Sequence, residues 1–129
     1  MSKIVTLKLP FPPSVNHSHH YANKRKFVIK KTKEFREAVQ EAVIESAEKL
    51  YGRLAMFITL YPPDKRRRDI GNYEKQLTDA IMLAGLFLDD EQIDTITIVR
   101  REIVKGGACR VVFVSDDAID AKNSIWESL

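Results

Sequence analysis

Residues 64–94 read DKRRRDIGNYEKQLTDAIMLAGLFLDDEQID, and how this stretch is parsed decides the rest of the chain. Four cations, Lys65, Arg66, Arg67 and Arg68, run up to Asp69. Tyr73, Leu77, Ala80, Ile81 and Ala84 then recur at helical spacing until Gly85, so a helix capped by Asp69 is expected here. On a helical wheel Arg68, Asn72, Lys75 and Asp79 fall opposite that apolar stripe, where they can face a ligand. Leu86 to Leu88 should dip back into the core before the acidic pair Asp89-Asp90. Polyanion-binding cations and metal-binding oxygens are thus gathered on the most strongly patterned helix.

Upstream, Ala55–Tyr61 (AMFITLY) is a nearly continuous apolar run that reads as a central strand buried on both faces, stopped by Pro62 and Pro63. Before it, Thr32 is a plausible cap for a helix carrying Phe35, Ala38, Val39, Ala42, Val43, Ala47 and Leu50 on one face, with Gly52 at its end. Ile4–Leu9 alternates as a half-buried strand until Pro10, Pro12 and Pro13. Residues 14–26 read as a polar surface loop carrying His17, His19 and His20.

Downstream, Asp94–Val104 reads as a strand, Lys105-Gly106-Gly107 as a hairpin turn and Ala108–Val114 as its return strand. The acidic tail, residues 116–129, holds Ile119, Ile125, Trp126 and Leu129 and suits a short helix docking on the body or on a partner. The expected fold is one α/β domain over residues 1–129. Its order is β-α-β-α-β-β, with a mixed sheet, a C-terminal hairpin, and a right-handed parallel crossover made by the first strand, first helix and second strand.

Composition agrees. A chain of 129 residues that is 44% hydrophobic suits one globular core without disulfides. The lone Cys109 excludes an internal disulfide and suits a reducing cytosol, and no apolar run is long enough for a membrane span. The net charge of +3 is too small to argue for nucleic acid. Its distribution says more: cations concentrate in residues 24–33 and 65–68, acids in 89–94 and after 116.

Phosphodiester hydrolysis needs an activated water and charge neutralisation, both of which Mg²⁺ supplies when held by a few hard carboxylate oxygens. Asp69 and the Asp89-Asp90 pair can supply those oxygens if the second helix runs back past the loop that follows it. The plain alternatives are an N-cap for Asp69, a solvated turn for Asp89-Asp90, a solvent-facing lysine for Lys75 and an ordinary basic patch for Lys65 to Arg68. Lys75, nearly two turns beyond Asp69, could contact the scissile phosphate. The cations before the helix could reach phosphates beside the acids, each a salt-sensitive contact. The three loop histidines lack a fourth ligand and make a poor zinc site. Phe11, between prolines, reads more readily as a packing residue than as a base-stacking wedge.

These residues resemble a known family. Arg66-Arg67-Arg68-Asp69-x-x-Asn72-x-x-Lys75, Asp79-Ala80, Ala84-Gly85 and Leu88-Asp89-Asp90-x-Gln92, with the opening Leu9-Pro10-Phe11-Pro12-Pro13-Ser14-x-Asn16 and the closing Lys105-Gly106-Gly107, resemble the RusA family of Holliday-junction resolvases. The resemblance spans roughly residues 5 to 115 and implies a small α/β homodimer, common on phages and prophages, that binds four-way DNA junctions in the cytoplasm. It would nick two opposed strands symmetrically with Mg²⁺, or Mn²⁺, in DNA recombination and repair. By position it implies Asp69 and Asp90 as metal-binding carboxylates, Lys75 as the active-site lysine, and Lys65, Arg66, Arg67, Arg68, Asn72, Asn16, Lys24 and Arg25 as DNA-binding residues.

One position departs from the family pattern Asp-x-Asp-Asn, which here reads Asp69-Ile70-Gly71-Asn72. Gly71 brings no ligand and costs up to about 1 kcal/mol in a helix relative to alanine. Three explanations are open: an inactive variant, compensation by Asp89 or Glu74, or a protein that binds junctions with weakened or absent cleavage.

Overall fold

The computed structural model describes residues 3–14 and 22–115, the side chains of 22–29 excepted. It contains β1 (Ile4–Leu9), α1 (Ala22–Ser46), β2 (Leu54–Tyr61), a 3₁₀ turn at Ile70–Asn72, α2 (Glu74–Leu83), a second 3₁₀ turn at Asp90–Gln92, β3 (Ile93–Arg100) and β4 (Ala108–Ser115). The element order and the mixed sheet match the sequence reading.

The sheet runs β1-β4-β2-β3. β2, the apolar run, is hydrogen-bonded on both sides: parallel to β3, with Ile58 opposite Ile98, and antiparallel to β4, with Ile58 opposite Val111. β4 in turn pairs antiparallel with β1, Leu7 opposite Val111. One row of paired positions, Val5, Leu7, Leu9, Cys109, Val111, Phe113, Met56, Ile58 and Leu60, is buried and meets Phe35, Val39 and Val43 of α1 and Leu77, Ala80 and Ile81 of α2. Full burial of each such aliphatic or aromatic side chain is worth about 1.5–3 kcal/mol, so this layer holds the domain together. On the opposite sheet face, Thr6, Lys8 and Arg110 are exposed and Thr59, Tyr61, Val112 and Val114 are partly buried.

The expected hairpin does not form. β3 and β4 flank β2 and never pair, so residues 101–107 arch over the end of β2. The arch is pinned to the strand it crosses: Arg101 N–H donates to Leu60 O at 2.9 Å and Val104 N–H to Pro62 O at 2.9 Å. The turn chemistry was real, because Gly106 and Gly107 have φ of +83° and +76°. What it could not reveal is that β2 outcompetes both neighbours as a partner. Gly107 is required for a second reason: a Cβ there would lie 2.7 Å from Phe11 Cβ and 3.3 Å from Pro63 Cβ. The arch therefore rests directly on Phe11. β1 and β2 do run parallel, but β4 lies between them, and the adjacent parallel pair is β2 with β3, joined through α2.

Other boundaries differ as well. α1 begins ten residues before Thr32, at Ala22, because the stretch ANKRKFVIKK holds no proline or glycine to break a helix, and Thr32 is simply carried inside it. It ends at Ser46, whose hydroxyl donates to Val43 O at 2.6 Å, with Ala47 left-handed at φ 54°. Leu50 is buried from the following loop, its N–H donating to Leu86 O at 2.7 Å. Asp69 starts the first 3₁₀ turn rather than α2, which begins at Glu74. β3 stops at Arg100, four residues short of Val104. Leu86 and Phe87 enter the core as expected, whereas Leu88 is 79% exposed. No helix among the described residues is long and apolar enough to cross a membrane.

Candidate active site

The loop after β2 and the end of β3 form one basic cleft. Pro62 stops β2, and the chain folds back so that Lys65, Arg66, Arg67, Arg68 and Asp69 face Arg100 and Arg101 across a cavity of about 420 Å³. Two of these cations, Arg100 and Arg101, were not among the residues the sequence singled out. They lie inside a strand pattern, and only the parallel register of β3 on β2 carries them to this loop. Lys65, Arg66, Arg67, Arg100 and Arg101 are exposed. Arg68 is different: its side chain is 15% exposed and its guanidinium is bound to Asp64, Nη1 to Oδ1 at 2.8 Å. That bond, together with the Arg66 N–H donating to Asp64 Oδ1 at 2.9 Å, holds the Asp64 carboxyl down at about 2. Arg68 therefore stays clamped from neutral pH until Asp64 protonates near that value. The Arg100 guanidinium donates to the Arg68 carbonyl, so the two walls of the cleft are tied.

Asp69 stands where a helix cap would stand, yet its carboxylate makes no capping hydrogen bond. Only its carbonyl is used, accepting from Asn72 N–H at 3.0 Å. The side chain is exposed, and the plain N-cap explanation does not account for it. Gly71, two residues on, is exposed with an ordinary backbone angle, and a Cβ built there meets nothing within 4 Å. Neither steric room nor conformation asks for glycine at this position.

The second acidic segment divides into two roles. Asp89 is structural: it caps the 3₁₀ turn at Asp90–Gln92, its Oδ1 accepting from Glu91 N–H at 3.1 Å while Gln92 Oε1 accepts from Asp89 N–H at 3.0 Å. The Glu91 N–H and the neighbouring Asp90 hold its carboxyl below the usual range. Asp90 has the opposite shift. Its carboxyl is raised, first by the hydrogen bond with Asp89, then by desolvation and the Asp89 charge, with Lys75 lowering it and Asp79 raising it further. Lys75 itself pairs with Asp79, Nζ to Oδ2 at 3.7 Å, on the exposed side of α2. Asp90, Lys75 and Asp79 thus share one electrostatic neighbourhood beside α2. The turn is held from below by Arg53, which reaches Glu91 and Asp94 at 3.1 Å. Gln92 Nε2 adds a donor to Gly52 O at 3.0 Å.

α2 touches both 3₁₀ turns, the one that follows Asp69 and the one that starts at Asp90. Still, among the described residues no three His, Cys, Asp or Glu side chains gather closely enough to hold a metal ion. Glu74 is engaged elsewhere, its Oε1 lying 2.8 Å from Thr78 Oγ1, so it is a poor substitute for the acid absent at 71. Asp89 is occupied as a cap. Asp69 and Asp90 remain as exposed carboxylates, one just before the first of the two turns that α2 touches and one within the second, and oxygen donors of this hard kind are what a magnesium ion takes. Asn72 is half-buried within the first 3₁₀ turn, beside the basic cleft. Asn16, His17, His19, His20, the side chains of Lys24 and Arg25, and the tail 116–129 lie outside the described residues. Cys109 is buried in the sheet and its thiol is pushed up to about 12, so it is no nucleophile.

Comparison with known proteins points one way. The family model described as endodeoxyribonuclease RusA matches residues 10–113. The crossover junction endodeoxyribonuclease of Enterobacteria phage HK97 is 34% identical over 101 residues, which cover 77% of this chain and 84% of the phage protein. The protein of that name from Escherichia coli strain K12 is 34% identical over 106 residues, covering 79% and 87%. That of Enterobacteria phage 82 is 33% identical over 105 residues, covering 78% and 86%.

Proposed function

The chain belongs to the RusA endodeoxyribonuclease family, and on that footing we propose that it is a structure-specific endodeoxyribonuclease that resolves four-way DNA junctions by paired, symmetric nicks. The observation that carries the reading is the join of a six-cation cleft to an exposed, uncapped Asp69 at its rim. A backbone laid in that cleft brings its phosphates to the carboxylates, and each neutralised phosphate releases counterions.

In this reading Asp69 and Asp90 would hold Mg²⁺, with Mn²⁺ as a substitute. A bound ion of this kind lowers the pKa of its water and neutralises charge on the phosphate. The chain's own groups do the rest. Lys75, 71% exposed beside Asp90, reaches the phosphate and steadies the departing oxygen. Arg68, clamped by Asp64, holds the adjoining phosphate without having to be ordered on binding. Asp89 and Gln92 fix the turn that presents Asp90.

A homodimer completes the proposal, because two opposed strands need two sites related by a two-fold axis. The partly apolar sheet face bearing Tyr61, Val112 and Val114 gives a second copy somewhere to dock.

Incubation with a labelled four-way junction and Mg²⁺ should give nicks at matching positions on opposed strands. A junction left intact at every protein excess rejects the nuclease. A second reading, junction binding with weakened or absent cleavage, is favoured by one observation: Gly71 supplies no carboxylate beside Asp69, and among the described residues no three acids gather. Measuring binding and nicking on the same sample separates the two.

Arg101 gives a sharper prediction for the cleft. Arg101→Ala should weaken binding about equally for all junction sequences and lower the slope of log affinity against log salt by roughly one. An unchanged slope would remove Arg101 from the phosphate contacts.

A further inference from the structure

Beside the basic cleft lies a second cavity, about 480 Å³, between the Pro10–Ser14 segment, the middle of α1 and the loop before α2. Of its lining residues only Arg68 has a part in the cleavage scheme. Its walls are half apolar, with the ring of Phe11, the ring of Tyr73 and several prolines, which offer no N–H, and half polar, with Ser14, Lys31 and Arg68. Glu34, an exposed side chain on α1, adds a carboxylate at its margin.

The walls are rigid. Phe11 and Tyr73 meet edge to face with centroids 5.0 Å apart. The Arg68 guanidinium sits 5.6 Å above the Phe11 ring, and the Tyr73 hydroxyl engages the same guanidinium. From the other side Gly107 packs so closely on Phe11 that even a Cβ would not fit. This is a fixed aromatic pocket with an acceptor near its mouth.

Arg68 lines both cavities. A strand whose phosphates lie along the cleft therefore passes beside the pocket. We propose that this pocket receives one unstacked nucleobase from beside the crossover, packed against Phe11 and Tyr73, with Glu34 accepting from an exocyclic amino group. Unpaired bases stack on aromatic and guanidinium faces in this way, whereas a base in continuous duplex leaves its stack only by giving up its pairing and stacking. Branch points lower that cost, so the pocket ties recognition of DNA shape to the chemistry next to it. Cytosine, adenine and guanine carry the amino group and thymine does not. The proposal rests on the junction reading above.

Abasic sites moved one nucleotide at a time through the positions flanking the crossover test it. Wild-type protein should lose about fivefold or more in junction affinity at one position on each of two symmetric strands, a size in keeping with base–aromatic stacking. Phe11→Ala should weaken binding to the intact junction by a similar factor and then be indifferent to the abasic site. Glu34→Met, which is similar in length but has no strong acceptor, should erase the difference between thymine and the amino-bearing bases at that position, and it guards against a folding defect in Phe11→Ala. Equal loss in wild type and Phe11→Ala, or no sensitive position, overturns the pocket while leaving the nuclease standing. Failure of the intact junction to bind overturns both.

Discussion

Asp90→Asn is expected to lower junction cleavage by more than about a hundredfold while leaving junction affinity nearly unchanged or modestly tighter. Even residues that only support a metal ligand are worth roughly 10–100-fold, so loss of a ligand should exceed that range. Affinity should survive because the cations of the cleft, not the acids, bind the phosphates, and removing a negative charge beside them reduces repulsion. The substitution should also fold normally, because Asp90 is exposed and the capping box is made by Asp89 and Gln92. Asp89→Asn should behave differently, affecting the turn before it affects the ion. If Asp90→Asn cuts junctions at the wild-type rate, the acidic segment has no part in the chemistry.

Gly71→Asp is expected to raise cleavage at least about tenfold, the lower end of what one supporting group at a metal site contributes. The structure accommodates it: a Cβ at 71 meets nothing within 4 Å and the backbone there needs no glycine. Folding should tolerate or favour the change, since glycine is the weaker helix former and an acid near a helix N-terminus gains roughly 0.3–1 kcal/mol. The acid would sit two residues from Asp69, on the segment packed against β3 and α2. An unchanged rate would show that the absent carboxylate is irrelevant and that the chain cuts, or fails to cut, for another reason.

The legible parts of the fold were those in which local pattern and tertiary demand agree. The run AMFITLY had to be central because only a strand covered by neighbours tolerates so few polar residues, and the stripe from Tyr73 to Ile81 had to face a core. The illegible parts were matters of pairing. Gly106-Gly107 supplies turn geometry whether the chain returns beside β3 or crosses over β2, and no local signal distinguishes the two. The same blind spot hid Arg100 and Arg101, whose place in the basic cleft depends on the register of β3 against β2. For the candidate site, charge spacing marked Asp69, Lys75 and the Asp89-Asp90 pair, and only the family resemblance picked Asp90 out of that pair. That Asp89 caps the turn and Asp90 does not is set by the turn's geometry, because both residues sit at positions that favour an acid. The aromatic pocket was half visible: Phe11 reads as packing, and it does pack, on Tyr73 and under Gly107. Its second face on a cavity could not be read from spacing.

Anomalous scattering from a manganese-soaked crystal bears most directly on the whole account. The prediction is one ion with a carboxylate oxygen from Asp69 and one from Asp90, each at a bonding distance of about 2.0–2.6 Å, and waters filling the side next to Gly71. Manganese bound elsewhere, with those two side chains directed into separate regions of solvent in every subunit, would contradict it.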